Sequence, residues 1–158
     1  MTRTQVNDTT CASEVVEIDA PPQVVWDVVA DFATYPEWNP FCTAVDGEFA
    51  LGAPIVLHTP HPDHDPDLQT QEWISAIEEP FHLQYNTGDS IPGVHAVRDQ
   101  WIEDLGDGRS SYCTVDVFTG DHAQLAYDLQ GQWVTDGFNA LAQALKVRAE
   151  ERWSRRSS

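Results

Sequence analysis

Residues 18–41 read IDAPPQVVWDVVADFATYPEWNPF, and the changes of character along this stretch set the fold. Ile18 closes a segment from Thr10 with enough β-branched residues for a strand. Asp19 or Ala20 then caps a helix, with Pro21 or Pro22 in its first turn, where a missing N–H costs nothing. Val25, Trp26, Val28 and Val29 form the apolar stripe of that helix. Asp31, Phe32, Tyr35 and Trp38 continue into a second short helix, with Pro36 near its start and Pro40 preventing continuation.

Beyond Phe41 the period shortens to that of strands. Candidates fall at 43–49, 53–58, 68–78, 81–87, 94–104 and 109–118, with Glu79-Pro80 separating two of them. Gly106-Asp107-Gly108 is expected to turn the last two into a hairpin. With the first strand this makes seven, enough for a strongly bent antiparallel sheet. From Asp121 the period becomes helical, and Leu125, Leu129, Trp133, Val134, Phe138, Leu141 and Leu145 form an apolar stripe. Asp121 with Gln124 has the spacing of a capping box. Gly131 and Gly137 weaken this helix, which suggests a bend or a close approach. The helix ends among Lys146, Arg148, Arg152, Arg155 and Arg156, where positive charge suits its dipole.

The chain has 158 residues, 41% of them apolar, which fits one domain over 1–158 with loose ends at about 1–8 and 154–158. Twenty-six acidic residues against 8 basic give a net charge of −18. A surface this negative repels phosphate backbones and anionic membranes, so nucleic acid is not an expected partner. No run approaches the roughly 20 apolar residues of a membrane helix, and the start MTRTQVNDTT lacks a secretory signal; the expectation is a cytoplasmic protein, monomeric or homodimeric. Cys11, Cys42 and Cys113 are too few and scattered for a disulfide framework or a metal knuckle.

The stretches IDAPPQVVWDVVADFATYPEWNPF and VFTGDHAQLAYDLQGQWVTDGFNALAQALKVRAEE resemble the START-like superfamily, in its SRPBCC or polyketide cyclase/dehydrase branch related to birch-pollen allergens. The order of strands and turns between them agrees along nearly the whole chain. The resemblance implies an α+β helix-grip fold: a seven-stranded antiparallel sheet around a long C-terminal helix, two short helices after the first strand, and a cavity between. Its relatives include lipid carriers, hormone receptors, aromatase/cyclases and stress-response proteins, so the fold alone does not give an activity. The family pattern assigns Trp26, Phe32, Tyr35, Trp38 and Pro40 mainly to architecture, with Trp38-Asn39-Pro40 at the cavity entrance.

Such a cavity is lined by alternate sheet residues. Phe81, Leu83 and Tyr85 share one strand face and are expected inside. In the next strand His95, Val97, Asp99 and Trp101 alternate with Ala96, Arg98, Gln100 and Ile102; periodicity leaves the choice open, and the larger apolar area of Val97 and Trp101 favours the His95 face. In the last strand apolar content favours Cys113, Val115 and Val117 inside, whereas the family resemblance at Phe118-Thr119-Gly120 turns Phe118 inward. Tyr112 and Asp116 therefore stay candidates, and a one-residue slip would exchange the whole lining. A cyclase or dehydratase needs one group to take a proton next to a carbonyl and another to protonate a leaving hydroxyl. His95 suits either role, Tyr85 could hydrogen-bond an oxyanion, and Arg98 could polarise a carbonyl. Trp101, Tyr112, Asp116, Phe81, Leu83, Trp38 and Phe138 complete the expected ligand contacts.

His58, His61 and His64 stand with Asp63, Asp65 and Asp67 in a proline-rich segment. Their side chains suit transition metals. Three prolines should prevent regular geometry there, and the expectation is an acidic hairpin loop folded over the cavity mouth, with no structural metal and no cofactor. Nucleotide-binding glycine loops and serine-hydrolase elbows are absent. The reading is a binder of a hydrophobic, oxygenated small molecule, as a polyketide cyclase/aromatase-like enzyme or, alternatively, a non-catalytic carrier of a lipid-like ligand. A structural or regulatory partner protein is the third class.

Overall fold

The first strand breaks in two. In the computed structural model, which describes residues 9–157, β1 (Thr10–Ala12) and β2 (Val16–Ile18) pair with different stretches of the same neighbour. The sheet therefore counts eight strands where the sequence suggested seven. Pro21 occupies the N-cap position of α1 (Pro22–Ala30), and Pro22 is its first residue. A 3₁₀ turn, Phe32–Thr34, leads into α2 (Tyr35–Trp38).

The remaining strands are β3 (Ala44–Asp46), β4 (Pro54–His61), β5 (His64–Glu78), β6 (His82–Asn86), β7 (His95–Gly106) and β8 (Arg109–Thr119). All pairings are antiparallel in the order β1-β8-β7-β6-β5-β4-β3, with β2 also on β8. Asp107 and Gly108, at φ 55° and 75°, turn β7 into β8 with the positive dihedrals that a two-residue hairpin requires. The proline-rich segment is more regular than expected. The β4–β5 ladder continues to the His61–His64 pair, and its register shifts between Thr59 and His61. Pro60 sits in that irregularity, where no ladder N–H is needed.

The helix α3 (Ala123–Ser157) crosses the concave face of the sheet. Residues 154–157 are helical rather than a loose end, and the other expected end, 1–8, lies outside the described residues. Val134, Phe138, Leu141, Ala142, Leu145 and Ala149 are buried along its inner side. Leu125 and Leu129, expected in that stripe, are 57% and 70% exposed. The inner side of the first turns carries Ala123 and Ala126 instead, small residues that leave room beneath the helix. Gln124 donates to Asp128 at 2.8 Å, a side-chain pair one turn on in place of the expected capping box.

Gly137 explains itself by what lies next to it. A Cβ there would stand 2.2 Å from Cδ1 of Phe41, whose ring is wedged edge-on between Trp133 and Phe138. The helix passes over Phe41 at a position with no side chain. Ala at this site would gain about 1 kcal/mol of helix propensity, but forcing the ring aside costs roughly 1–3 kcal/mol. Gly137→Ala should therefore lower the urea-unfolding midpoint; an unchanged or raised midpoint would show that Phe41 yields freely.

Candidate functional site

Cross-strand pairing builds the interior from one row. Cys11 on β1 faces Asp116 on β8, Asp116 faces Arg98 on β7, and Arg98 faces Tyr85 on β6. Directly opposed residues share a sheet face, so this row looks toward α3. Below the row and the first half of α3 lies a cavity of about 280 Å³. Phe41, Phe118, Trp133 and Phe138 supply its aromatic wall, and Glu72, Arg98 and Asp116 its charged groups.

The three charged residues set the electrostatics. Arg98 is 7% exposed; its Nε donates to Thr114 Oγ1 at 2.9 Å, and its guanidinium carbon stands 4.6 Å from the centre of the Phe138 ring. Its Nη2 has no hydrogen-bond partner within the protein, nor has Oδ1 of Asp116. Burial pushes the Glu72 carboxyl up to about 8, with Asp116 adding to the rise and Arg98 opposing it. Burial likewise lifts Asp116 to about 6, again against the pull of Arg98. At neutral pH the cavity thus holds a protonated carboxyl, a mostly ionised one and a guanidinium.

The mouth is framed by the β4–β5 hairpin, the loop before β7 and the start of α3. His61 reaches across it: Nε2–H donates to Oε1 of Gln130 at 2.9 Å, and the ring lies 4.5 Å from that of Trp133. The backbone N–H of Asp63 donates to His61 Nδ1 at 3.0 Å, which holds the imidazole in place. Ile91 and Val94 line the opposite side. Gly93 lets this loop lie close against the residue that leads into α3, since a Cβ would come 2.2 Å from the His122 ring. His58 points to the outer face, where Asp46 and Asp67 hold its two nitrogens at 2.7 and 3.1 Å. Those carboxylates, Asp46 first, raise its pKa above the usual histidine value. His61 and His64 face one another at 4.9 Å, and among the described residues no three metal-ligating side chains converge.

The expected site residues divide. Tyr85, Leu83, Tyr112 and Arg98 are buried on the inner face, Asp116 and Phe138 line the large cavity, and Trp38 lines a smaller void behind it. His95 is exposed, with Nδ1 at 3.0 Å from the Gly88 carbonyl oxygen, and does not line the cavity. Trp101 lies on the outer face, stacked on His82 at 3.8 Å. Phe81 is 47% exposed in the turn before β6. The favoured face of β7 is therefore reversed: Ala96, Arg98, Gln100 and Ile102 point in. Val97 and Trp101 had suggested the opposite, but Trp101 covers an outer polar cluster in which His82 also meets Asp99 at 2.6 Å. On β8, Tyr112, Thr114, Asp116 and Phe118 point in, as the Phe118-Thr119-Gly120 pattern implied.

Sequence reasoning missed Glu72. Ile55 opposite it and Ile74 two residues on are buried, which marks its face of β5 as the inner one. An acidic residue on that face, beside Gln69 and Gln71 in sequence, gave no signal by itself.

A sheet gripping one long helix over a cavity with an open mouth defines a helix-grip protein. The chain belongs to the family described as polyketide cyclase/dehydrase and lipid transport, whose model matches residues 9–150. No curated protein matches it. Among solved structures it is similar to the Zhui aromatase/cyclase of Streptomyces sp. R1128, at 17% identity and TM-score 0.68, covering 94% of this chain and 95% of that one. It is also similar to norcoclaurine synthase of Thalictrum flavum in complex with dopamine and hydroxybenzaldehyde, at 12% identity and TM-score 0.63 over 96% of each chain. A START superfamily protein of Mycobacterium smegmatis matches at 14% identity and TM-score 0.63, over 92% and 97%. At these identities the likeness is one of fold.

The raised Glu72 carboxyl links stability to pH. Unfolded, it titrates near 4.5; folded, near 8. Between those values the folded chain keeps a proton that the unfolded chain has lost, so this contribution to stability falls as pH rises through the window. Glu72→Gln should remove that part of the slope and gain on the native chain as pH rises from 5 to 8. Urea midpoints measured across this range check it; parallel curves would mean that Glu72 ionises freely.

Proposed function

We propose that this protein binds a hydrophobic, oxygenated small molecule between sheet and α3 and acts on it as a cyclase or dehydratase. The observation that carries the reading is the set Glu72, Arg98 and Asp116 within an otherwise largely apolar wall, with Nη2 of Arg98 and Oδ1 of Asp116 lacking any partner in the protein. A pocket that only stored hydrocarbon would have no use for buried charges, which are costly to desolvate. Small-molecule sites combine apolar area with a few polar groups that orient the ligand.

The chemistry follows from the protonation states. Arg98 Nη2 hydrogen-bonds a ligand carbonyl oxygen and stabilises the enolate that forms when Asp116 takes the proton from the adjacent carbon. The enolate electrons then form a carbon–carbon double bond as the β-hydroxyl leaves, protonated by Glu72, as water. Asp116 ends protonated and Glu72 ionised, and the proton returns through solvent. Two coupled carboxyls with separated affinities are suited to such a division of labour. The aromatic wall adds orientation, because holding a flexible chain in a reactive conformer lowers the barrier without special groups.

A second reading, non-catalytic carriage of a lipid-like ligand, is favoured by the same aromatic lining and by the lipid-transport part of the family description. An aryl β-hydroxy ketone separates the two, its dehydration followed by the absorbance of the enone. Enzymatic action predicts turnover that peaks between about pH 6 and pH 8, where Asp116 is ionised and Glu72 is not. Asp116→Asn should cut kcat by about 100-fold or more while the ligand still binds. Binding without turnover, unaffected by Asp116→Asn and Glu72→Gln, would leave the carrier.

A further inference from the structure

Behind the large cavity is a second void of about 10 Å³, enclosed by α1, α2, the sheet and α3. Its apolar boundary includes Val29 and Leu141, and its polar boundary includes Trp38, Asn39, Tyr85 and Arg98. This volume matches about one water-sized sphere. Four atoms of those polar residues, Trp38 Nε1, Asn39 Nδ2, Tyr85 Oη and Arg98 Nη2, are buried without a hydrogen bond inside the protein. They are four of six such side-chain atoms among the described residues, so the concentration is local.

The chemistry of the four is one-sided. An indole N–H and a guanidinium only donate. The Asn39 amide is oriented by its oxygen, which accepts from the N–H groups of Phe41 at 3.0 Å and Cys42 at 2.9 Å. Its NH₂ therefore also faces the void as a donor. Tyr85 can donate or accept. Three obligatory donors and a hydroxyl, one of them cationic, border a space for a single heavy atom, and the Gln100 oxygen beside them is already taken by the Tyr112 hydroxyl. Such a set suits an atom rich in electrons and fixed in place, the arrangement that stabilises a developing negative oxygen.

We propose that this void is a binding site for one electron-rich oxygen, held by Trp38, Asn39, Tyr85 and Arg98. The oxygen comes either from a resident water or from the carbonyl of the molecule in the large cavity. Arg98, Cys42 and Leu57 border both spaces, so the site lies one side chain from the ligand. In the second case the inference rests on the function proposed above and makes the site the place where the enolate oxygen lodges. In the first it stands without that reading.

Nuclear magnetic resonance of the unaltered, ¹⁵N-labelled chain tests it, with the Trp38 indole N–H assigned by triple-resonance experiments. A rotating-frame cross-peak from that N–H to long-lived water is expected in the unloaded protein. The probe p-nitrophenol is then added at pH 7. If its oxygen enters, the cross-peak disappears and the bound phenol ionises more readily in the native protein than in Trp38→Phe, by at least threefold in its acid constant. If the cross-peak survives a saturating probe, the site belongs to water. Absence of any water cross-peak together with a Trp38 indole unmoved by bound probe would overturn the proposal. A probe that fails to bind counts against the ligand cavity, and the water cross-peak alone then decides the smaller site.

Discussion

A guanidinium under the sheet must be answered from several directions at once, and the Arg98 side chain draws most of the interior into that answer. Removing such a charge from water costs several kcal/mol unless partners replace the solvent. Thr114 takes its Nε, and the Thr114 hydroxyl in turn donates to the Asp99 carbonyl oxygen at 3.0 Å. Ser13 joins from the loop between β1 and β2, accepting the Thr114 N–H at 3.1 Å. The faces of Phe138 and Tyr85 lie 4.6 and 5.9 Å from the guanidinium carbon, so helix and sheet both contribute a π-surface. Asp116 brings the opposite charge nearby without closing a contact ion pair, and the Glu72 carboxyl beside it stays protonated at neutral pH. The cation is held firmly and left partly unsatisfied.

That partial satisfaction separates the two halves of α3. From Leu141 to Ala149 the helix packs against α1 through the buried side chains of Leu141, Ala142, Leu145 and Ala149. Before Phe138 it roofs the cavity, held by the edge-on Phe41–Trp133 contact, the Gln130–His61 hydrogen bond and the Cys11 thiol on the Gly131 carbonyl oxygen. One end supplies the apolar burial that stabilises the domain; the other forms the roof of the cavity and presents Leu125 and Leu129 outward. Stability and a ligand space are thus provided by different turns of the same helix.

The distribution of these roles explains what was legible in the sequence. Pro21-Pro22, the Asp107-Gly108 turn and the helical period after Asp121 are local signals, and each produced an element close to its expected bounds. The resemblance carried the overall topology. The orientation of β7 was not legible, because its inner face carries Arg98 and Gln100 while Trp101 lies outside on His82. Apolar area is a guide to the inside only where the inside is a plain core. Along a polar cavity wall the rule inverts, and local consistency fails where function has displaced it. Glu72 and the exposed Leu125 and Leu129 illustrate the same point from opposite sides of the wall.

The outer face shows why a reversed β7 would not fold as well. His82 lies between Glu78 and Asp99, at 2.5 and 2.6 Å, with Gln84 donating to Asp99 at 2.9 Å and Trp101 covering the ring. Each polar group in this cluster has a partner supplied by β5, β6 or β7. Turning Trp101 inward would strip the cover from His82 and carry Asp99 into the cavity, where the Asp116 carboxylate already repels further negative charge. It would also bring Arg98 out to water, leaving that carboxylate without the cation that lowers its cost. The register is fixed by complementarity on both faces together, with aromatic cover outside and a counter-charge inside. A comparison of apolar area, face against face, weighs neither.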